Sequence, residues 1–203
     1  MILQEMVRDS IDLLDSDPRH DLRIGVRDRI LCALGRNARV RLDIASIAKV
    51  LPLWEEMRPA DRTPHSAIEF ARQVDQGLIR ATQARRECDA LRSCCDKLLG
   101  ELEDRPSVCM IAYGAAQTVR DAMSDERFVN RLVWPHSTDL DIQPFDNDPS
   151  FFAAVAYAKG PPWEEGSDAL ARHEFWKWWL ATGLREASAE LVTADFVPSH
   201  SIV

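Results

Sequence analysis

Residues 78–102 read LIRATQARRECDALRSCCDKLLGEL, and their periodicity decides the fold class. At 100° per residue, Ala81, Ala84, Cys88, Leu91, Cys95, Leu98, Leu99 and Leu102 fall within an arc of about 100°. Arg85, Arg86, Asp89 and Lys97 take the opposite face. The spacing predicts an amphipathic helix about 37 Å long with one buried stripe.

Helical patterns continue on both sides of this stretch. Across residues 108–123, Ala112, Gly114, Ala115 and Ala116 are small enough for a neighbouring helix to approach closely. The apolar surface there runs nearly all the way round, which predicts a central position in a bundle. Upstream, Val40, Leu42, Ile44, Ile47, Val50, Leu51 and Trp54 recur at helical spacing, and Pro52 predicts a kink or break near Val50. Thr63-Pro64 predicts a capped helix start, with a helix over 64–74.

Downstream, a shorter helix is predicted over 126–133. Asp148-Pro149 is a cap-plus-proline start for a helix over 151–159, and Gly160-Pro161-Pro162 must end it. Ser167 is expected to cap a last helix over about 168–191, with Asp168 favoured in its first turn by the helix dipole. The fold expected is all-α: a single-domain bundle of about seven to eight helices over 1–203, with its core at about 22–192 and a loose C-terminal tail. One long loop, PHSTDLDIQPFDND over 135–148, carries four acids and no lysine or arginine.

Composition narrows the function. The 203 residues are 46 % hydrophobic and 29 % charged, ordinary globular values. No run of eighteen apolar residues suits a membrane span, and the N-terminus lacks a signal-peptide core, so a soluble, cytoplasmic protein is expected. The net charge of −8 argues against nucleic acid and against an anionic membrane as partners. That charge is uneven: residues 1–100 hold 17 bases and 16 acids, residues 101–203 hold 8 bases and 17 acids. An acidic half suits a basic protein partner as well as it suits solubility.

No catalytic set or metal site stands out. Cys32, Cys88, Cys94, Cys95 and Cys109 form no C-x-x-C pair; Cys88, Cys95 and Cys109 read as small buried hydrophobes, and Cys94 as the cysteine at the exposed edge. His173-Glu174 resembles the start of a zinc-protease helix, but Lys177 stands where the second histidine must be. His65 and His136 have no recognisable partner. The acids Asp139, Asp141, Asp146 and Asp148 lack the turn glycine and terminal glutamate of a calcium loop, and Pro144 interrupts them. Glycine-rich phosphate loops and nucleophile elbows are missing too. Neither enzymatic activity nor a cofactor or metal is expected. An active site without a recognisable motif would need a pocket gathering His65, His136 or His173 with carboxylates.

Tryptophan is the informative residue. Trp134, Trp163, Trp176, Trp178 and Trp179 account for five of the six. Around Phe175 the aromatic positions of the last helix span about 200°, twice the stripe of a surface helix. Such a helix is either buried on two sides or leaves a tryptophan at its edge. Arg172, one turn before Trp176, is placed to stack on an indole.

Two stretches carry a family resemblance. Val50-Leu51-Pro52-Leu53-Trp54-Glu55 with Arg58-Pro59 and PHSAIEFAR (64–72) is one; Pro162-Trp163-Glu164, Ser167-Asp168 and RHEFWKWWL (172–180) is the other. Over about 25–185 the chain resembles the all-helical immunity family numbered five in bacterial polymorphic toxin systems. The resemblance implies a cytoplasmic antidote encoded beside a toxin, acting by binding that toxin, with no catalytic residues to carry over.

The expected function is therefore that of an immunity protein masking a cognate toxin, basic where the toxin attacks nucleic acid. The alternative is a helical interaction or regulatory scaffold with no toxin partner. Asp139, Asp141, Asp146, Asp148, Trp163, Glu164, Glu165, Arg172, Trp176 and Trp178 are the candidate contact residues. Arg172, Trp176, Trp178 and Trp179 are also expected to brace that surface.

Overall fold

The computed structural model of the chain describes residues 2–101, 106–123, 137–142 and 147–188. Among these are eight α-helices and no strand: α1 (Ile2–Ser16), α2 (Ile24–Ala33), α3 (Arg36–Met57), α4 (Thr63–Asp75), α5 (Ala81–Glu101), α6 (Pro106–Met123), α7 (Pro149–Tyr157) and α8 (Ala169–Trp178). A π-helical turn, Trp179–Gly183, extends α8. The helices proposed over 126–133 and beyond 188 fall outside the described residues, as do Trp134, His136 and much of the acidic loop.

Helix α6 is the hub, packed against α3, α4, α5 and α7. Its small residues explain this. At Gly114 an added Cβ would collide with Ile47 Cδ1 of α3 and come within 3.1 Å of Phe152 Cβ of α7. Three helices therefore meet at one hydrogen atom. The stripe of α5 faces α6 through Ala84, Cys88, Cys95 and Leu98, all buried.

One chain of buried polar groups links three elements through the core. Trp179 Nε1 donates to Ser150 Oγ (2.8 Å), Ser150 and Ser46 hydroxyls lie 3.2 Å apart, and Ser46 Oγ donates to the Leu42 carbonyl (2.7 Å). This relay ties the π turn to α7 and α3. Unmade, each such bond would leave a buried donor at a cost of about 1–3 kcal/mol.

Helix ends follow the sequence closely but not always at the expected residue. Asp148 caps α7, its Oδ1 accepting from Phe151 N (3.2 Å). The last helix is capped by Asp168, accepting from Ala171 N (3.0 Å), while Ser167 Oγ donates back to Glu164 O. At α4 the Asp61 carboxylate accepts from Thr63 N (2.9 Å), and Thr63 itself lies within the helix. Helix α3 runs unbroken through Pro52. The ring costs one backbone bond, but Leu51, Leu53 and Trp54 still pack into the core. The exposed cysteine is Cys32; Cys94 is half-buried and packs against the core edge.

Substituting Gly114→Val should cost about 1–3 kcal/mol by overpacking, read as a lowered denaturant midpoint at unchanged slope. Wild-type stability in that variant would mean α3 and α7 do not close on α6 there.

Candidate functional site

Helix α2 presents Ile24, Ile30 and Leu31 to the interior, and Arg27 shares their face three residues after one and three or four before the others. Its side chain is fully buried. A buried guanidinium costs several kcal/mol unless every N–H finds an acceptor. Here five bonds serve five N–H groups. Nε donates to Asp148 Oδ2 (2.8 Å), Nη1 to Leu22 O (2.5 Å) and Asp139 Oδ2 (3.2 Å), and Nη2 to Asp139 Oδ1 (2.5 Å) and Asn147 Oδ1 (3.4 Å). The cation also lies over the rings of Phe151 (5.4 Å) and Trp176 (5.2 Å).

The node links four segments. Asp139 and Asn147 come from the loop, Asp148 starts α7, Trp176 belongs to α8, and Leu22 leads into α2. The Asp139 and Asp148 carboxylates hold the Arg27 guanidinium firmly in its charged form against the effect of burial. Burial lifts the Asp139 carboxyl above the usual range, and Arg27 opposes it. Next to the node, Trp176 Nε1 donates to Asp21 Oδ1 (3.1 Å). Burial, with Asp139 adding repulsion, pushes the Asp21 carboxyl up to about 6.

A second acidic pair, Asp43 of α3 and Asp121 of α6, lies elsewhere in the fold. Asp43 is 2 % exposed and its Oδ1 has no hydrogen-bond partner. Burial first, then Asp121 and Asp148, raise its carboxyl well above the ordinary value. Asp121, whose side chain keeps 20 % exposure, is pushed up to about 7 by burial, with Arg120 and Arg39 opposing.

Beside the Arg27 node opens a groove of about 1010 Å³ between the C-terminal end of α3, the start of α6, and α7. Met57, Val108, Met110, Phe152 and Tyr157 supply apolar wall, and the loop residues Leu140 and Ile142 supply another side. Leu140 is 61 % exposed and Trp163 42 % exposed, large apolar surfaces left in water at the groove. Trp163 stacks on Phe151 at 6.1 Å, and Phe151 in turn lies under Arg27. Glu56 and Glu164 line the groove against a single lysine, Lys159, among its described lining residues.

The ten candidate contact residues thus separate. Asp139 and Asp148 are not part of a solvated acidic loop: both are buried on Arg27, 112 and 121 positions away in sequence. Arg172 does not stack on Trp176. It is 1 % exposed and donates to the carbonyls of Arg19 (3.1 Å) and Gly160 (2.9 Å), and the cation over Trp176 is Arg27. Trp176 and Trp179 are fully buried, so neither offers surface to a partner. Trp178 is half-buried under the Lys49 ammonium (4.6 Å). Asp141, Trp163, Glu164 and Glu165 are exposed. The Asp141 carboxylate accepts from Thr138 N (2.7 Å) and Oγ1 (3.0 Å), which holds it below the usual range. Asp146 lies outside the described residues.

Of the described histidines, His20 and His173 lie together, ring centroids 4.7 Å apart. His65 meets Glu55 (2.8 Å) between α4 and α3, and His173 meets Asp15 (2.6 Å) between α8 and α1. Neither lines the groove, and no group of three His, Cys, Asp or Glu side chains among the described residues is arranged to hold a metal. Arg27 is the residue that sequence reasoning missed. Its signal was available: an arginine on the same helical face as Ile24, Ile30 and Leu31 must be buried and therefore paired.

Arg27→Met leaves Asp139 and Asp148 buried without their cation and should cost about 3–5 kcal/mol at neutral pH. The deficit should shrink as pH falls, because burial already raises the Asp139 carboxyl and its protonation removes the unpaired charge. A loss that does not vary with pH would contradict the pairing. A separate titration reads the Asp43–Asp121 pair. Because both folded-state values are raised, their contribution is complete below pH 3.8 and declines as pH rises through about 7. Chemical denaturation across that window should show stability falling in wild type and a flatter profile in Asp43→Asn. Parallel profiles would rule out a raised Asp43.

The residues that build node and groove span Leu22 to Trp176, and a comparison with family models covers them all. The model for immunity protein Imm5 matches residues 9–185. A search of curated proteins gives no match. With the match extending from within α1 to just past the π turn, the chain belongs to the Imm5 immunity protein family, a membership that implies toxin neutralisation.

Proposed function

We propose that this protein is a cytoplasmic antidote that neutralises its cognate toxin by binding and covering it, with no bond made or broken. One observation supports this reading beyond family membership. Exposed aromatic and aliphatic surface, Trp163 and Leu140, lies on the same groove as Glu56 and Glu164, which form no ion pair among the described residues, with Asp141 and Glu165 next to it in sequence. Indole and aliphatic anchors supply grip once desolvated, and a surplus of one charge sign steers encounter and rejects partners of the same sign. A basic toxin is the partner such a surface suits. No helix among the described residues is long and apolar enough to cross a membrane.

The exposed acids contribute mainly to the rate of association. Asp141, Glu164 and Glu165 are solvated, so each direct ion pair with a partner adds little, but their summed field acts over roughly a Debye length, about 8 Å at physiological salt. Co-expression with the toxin encoded beside this gene should restore growth. The triple reversal Asp141→Lys, Glu164→Lys, Glu165→Lys should lower the association rate about tenfold or more at low salt and weaken rescue. Wild-type binding should itself weaken with added salt. An affinity indifferent to both salt and the triple reversal would remove the acids from the inhibitory surface.

A further inference from the structure

We infer that the groove between α3, α6 and α7 seats a segment of the toxin carrying an apolar anchor side chain flanked by lysine or arginine. This rests on the reading of the protein as a toxin-binding antidote and adds where the toxin is held and by what chemistry. The volume, about 1010 Å³, accommodates several side chains. Its wall is apolar, and Leu140 and Trp163 remain exposed at it with 61 % and 42 % of their surfaces in water. Covering them returns about 25 cal/mol for each Å² removed from solvent.

The charges at the groove say what kind of segment fits. Asp139 is already committed to Arg27. Glu56 and Glu164 line the groove, Glu165 follows on the same connector and Asp141 follows Leu140; none of these four forms an ion pair among the described residues. Lys159 is the single base among the described residues that line the groove. An acidic or purely apolar segment would leave these carboxylates desolvated without a counter-charge, at real cost. A second copy of this chain would bring the same acids to the same acids, which disfavours a two-fold contact through this face. A basic-flanked apolar anchor satisfies both the wall and the rim.

The groove is also held ready. Arg27 fixes Asp139 and Asn147 on either side of the loop, and Phe151, packed under Arg27, stacks with Trp163. Little ordering entropy is then left to lose on binding.

The test uses the full chain with the polypeptide encoded by the adjoining toxin gene. A photo-crosslinking phenylalanine is placed at Leu140, at Trp163, or at the control position Arg72 on α4. Crosslinks from the first two positions should land on a toxin peptide with an apolar residue and lysine or arginine within a few positions, with none from Arg72. Trp163→Ala, checked for unchanged circular dichroism, should weaken the complex about 30-fold, as expected of an aromatic anchor. If wild type binds and rescues but crosslinks arise from Arg72 alone, or Trp163→Ala and Leu140→Asp bind like wild type, the groove is not the seat and the antidote reading stands. Crosslinks confined to a second copy of this chain, or to an acidic toxin peptide, overturn the inference too. Failure of wild type to bind or rescue overturns both.

Discussion

A guanidinium buried in a helical core constrains everything around it. Arg27 cannot lie where α2 places it unless acceptors come to it, and no acceptor on α2 itself can serve the outer nitrogens. Asp139 and Asn147, which precede α7, and Asp148, which caps it, therefore converge on one cation. Asp148 does two tasks with two oxygens, one on Arg27 and one on the α7 backbone. The pair is ionic and buried, so its worth lies less in net stability than in specifying a single arrangement. Replacing both charges with apolar groups can be neutral, whereas removing one is severe.

That arrangement has a functional consequence. With Asp139 anchored, Leu140 and Asp141 are carried outward, and Leu140 stands beside the groove instead of collapsing into it. With Phe151 under the cation, Trp163 has a ring to stack on while keeping part of its surface in water. An inhibitor that works by occupancy needs surface that is apolar yet does not satisfy itself, and the Arg27 node holds such surface open. The Asp43–Asp121 pair does not line the groove, and its raised carboxyls favour the fold less as pH rises.

Much of the fold was legible in the sequence. The stripe of Ala84, Cys88, Cys95 and Leu98, the small residues of α6, and the Asp148-Pro149 start were read from spacing alone, because local periodicity and capping chemistry are local facts. Helices α1 and α2 went unread: in α1 the stripe of Leu3, Met6, Val7, Ile11 and Leu14 stands at helical spacing and was passed over, whereas the buried face of α2 carries a charge that apolar periodicity scores as exposed. The cap of α8 was misplaced by one residue, since Ser167 and Asp168 are both good caps and only geometry chooses between them. The site was less legible. A run of acids with no base among them looks solvated when its counter-ion stands more than a hundred positions away. The 200° aromatic arc left open burial on two sides or a tryptophan at the edge; Trp176 and Trp179 are buried and Trp178 is half-buried, while Trp163, marked as a contact residue by the two acids that follow it, is exposed.

The central claim is that this protein acts through one preformed face, the acidic and aromatic groove held by Arg27. Amide hydrogen exchange of the protein alone and in complex with its toxin tests this most directly. Added protection should concentrate in residues 137–142 and 160–166 and at the adjoining ends of α3 and α6. Protection confined to α4 and α5, with those segments unchanged, would contradict the account.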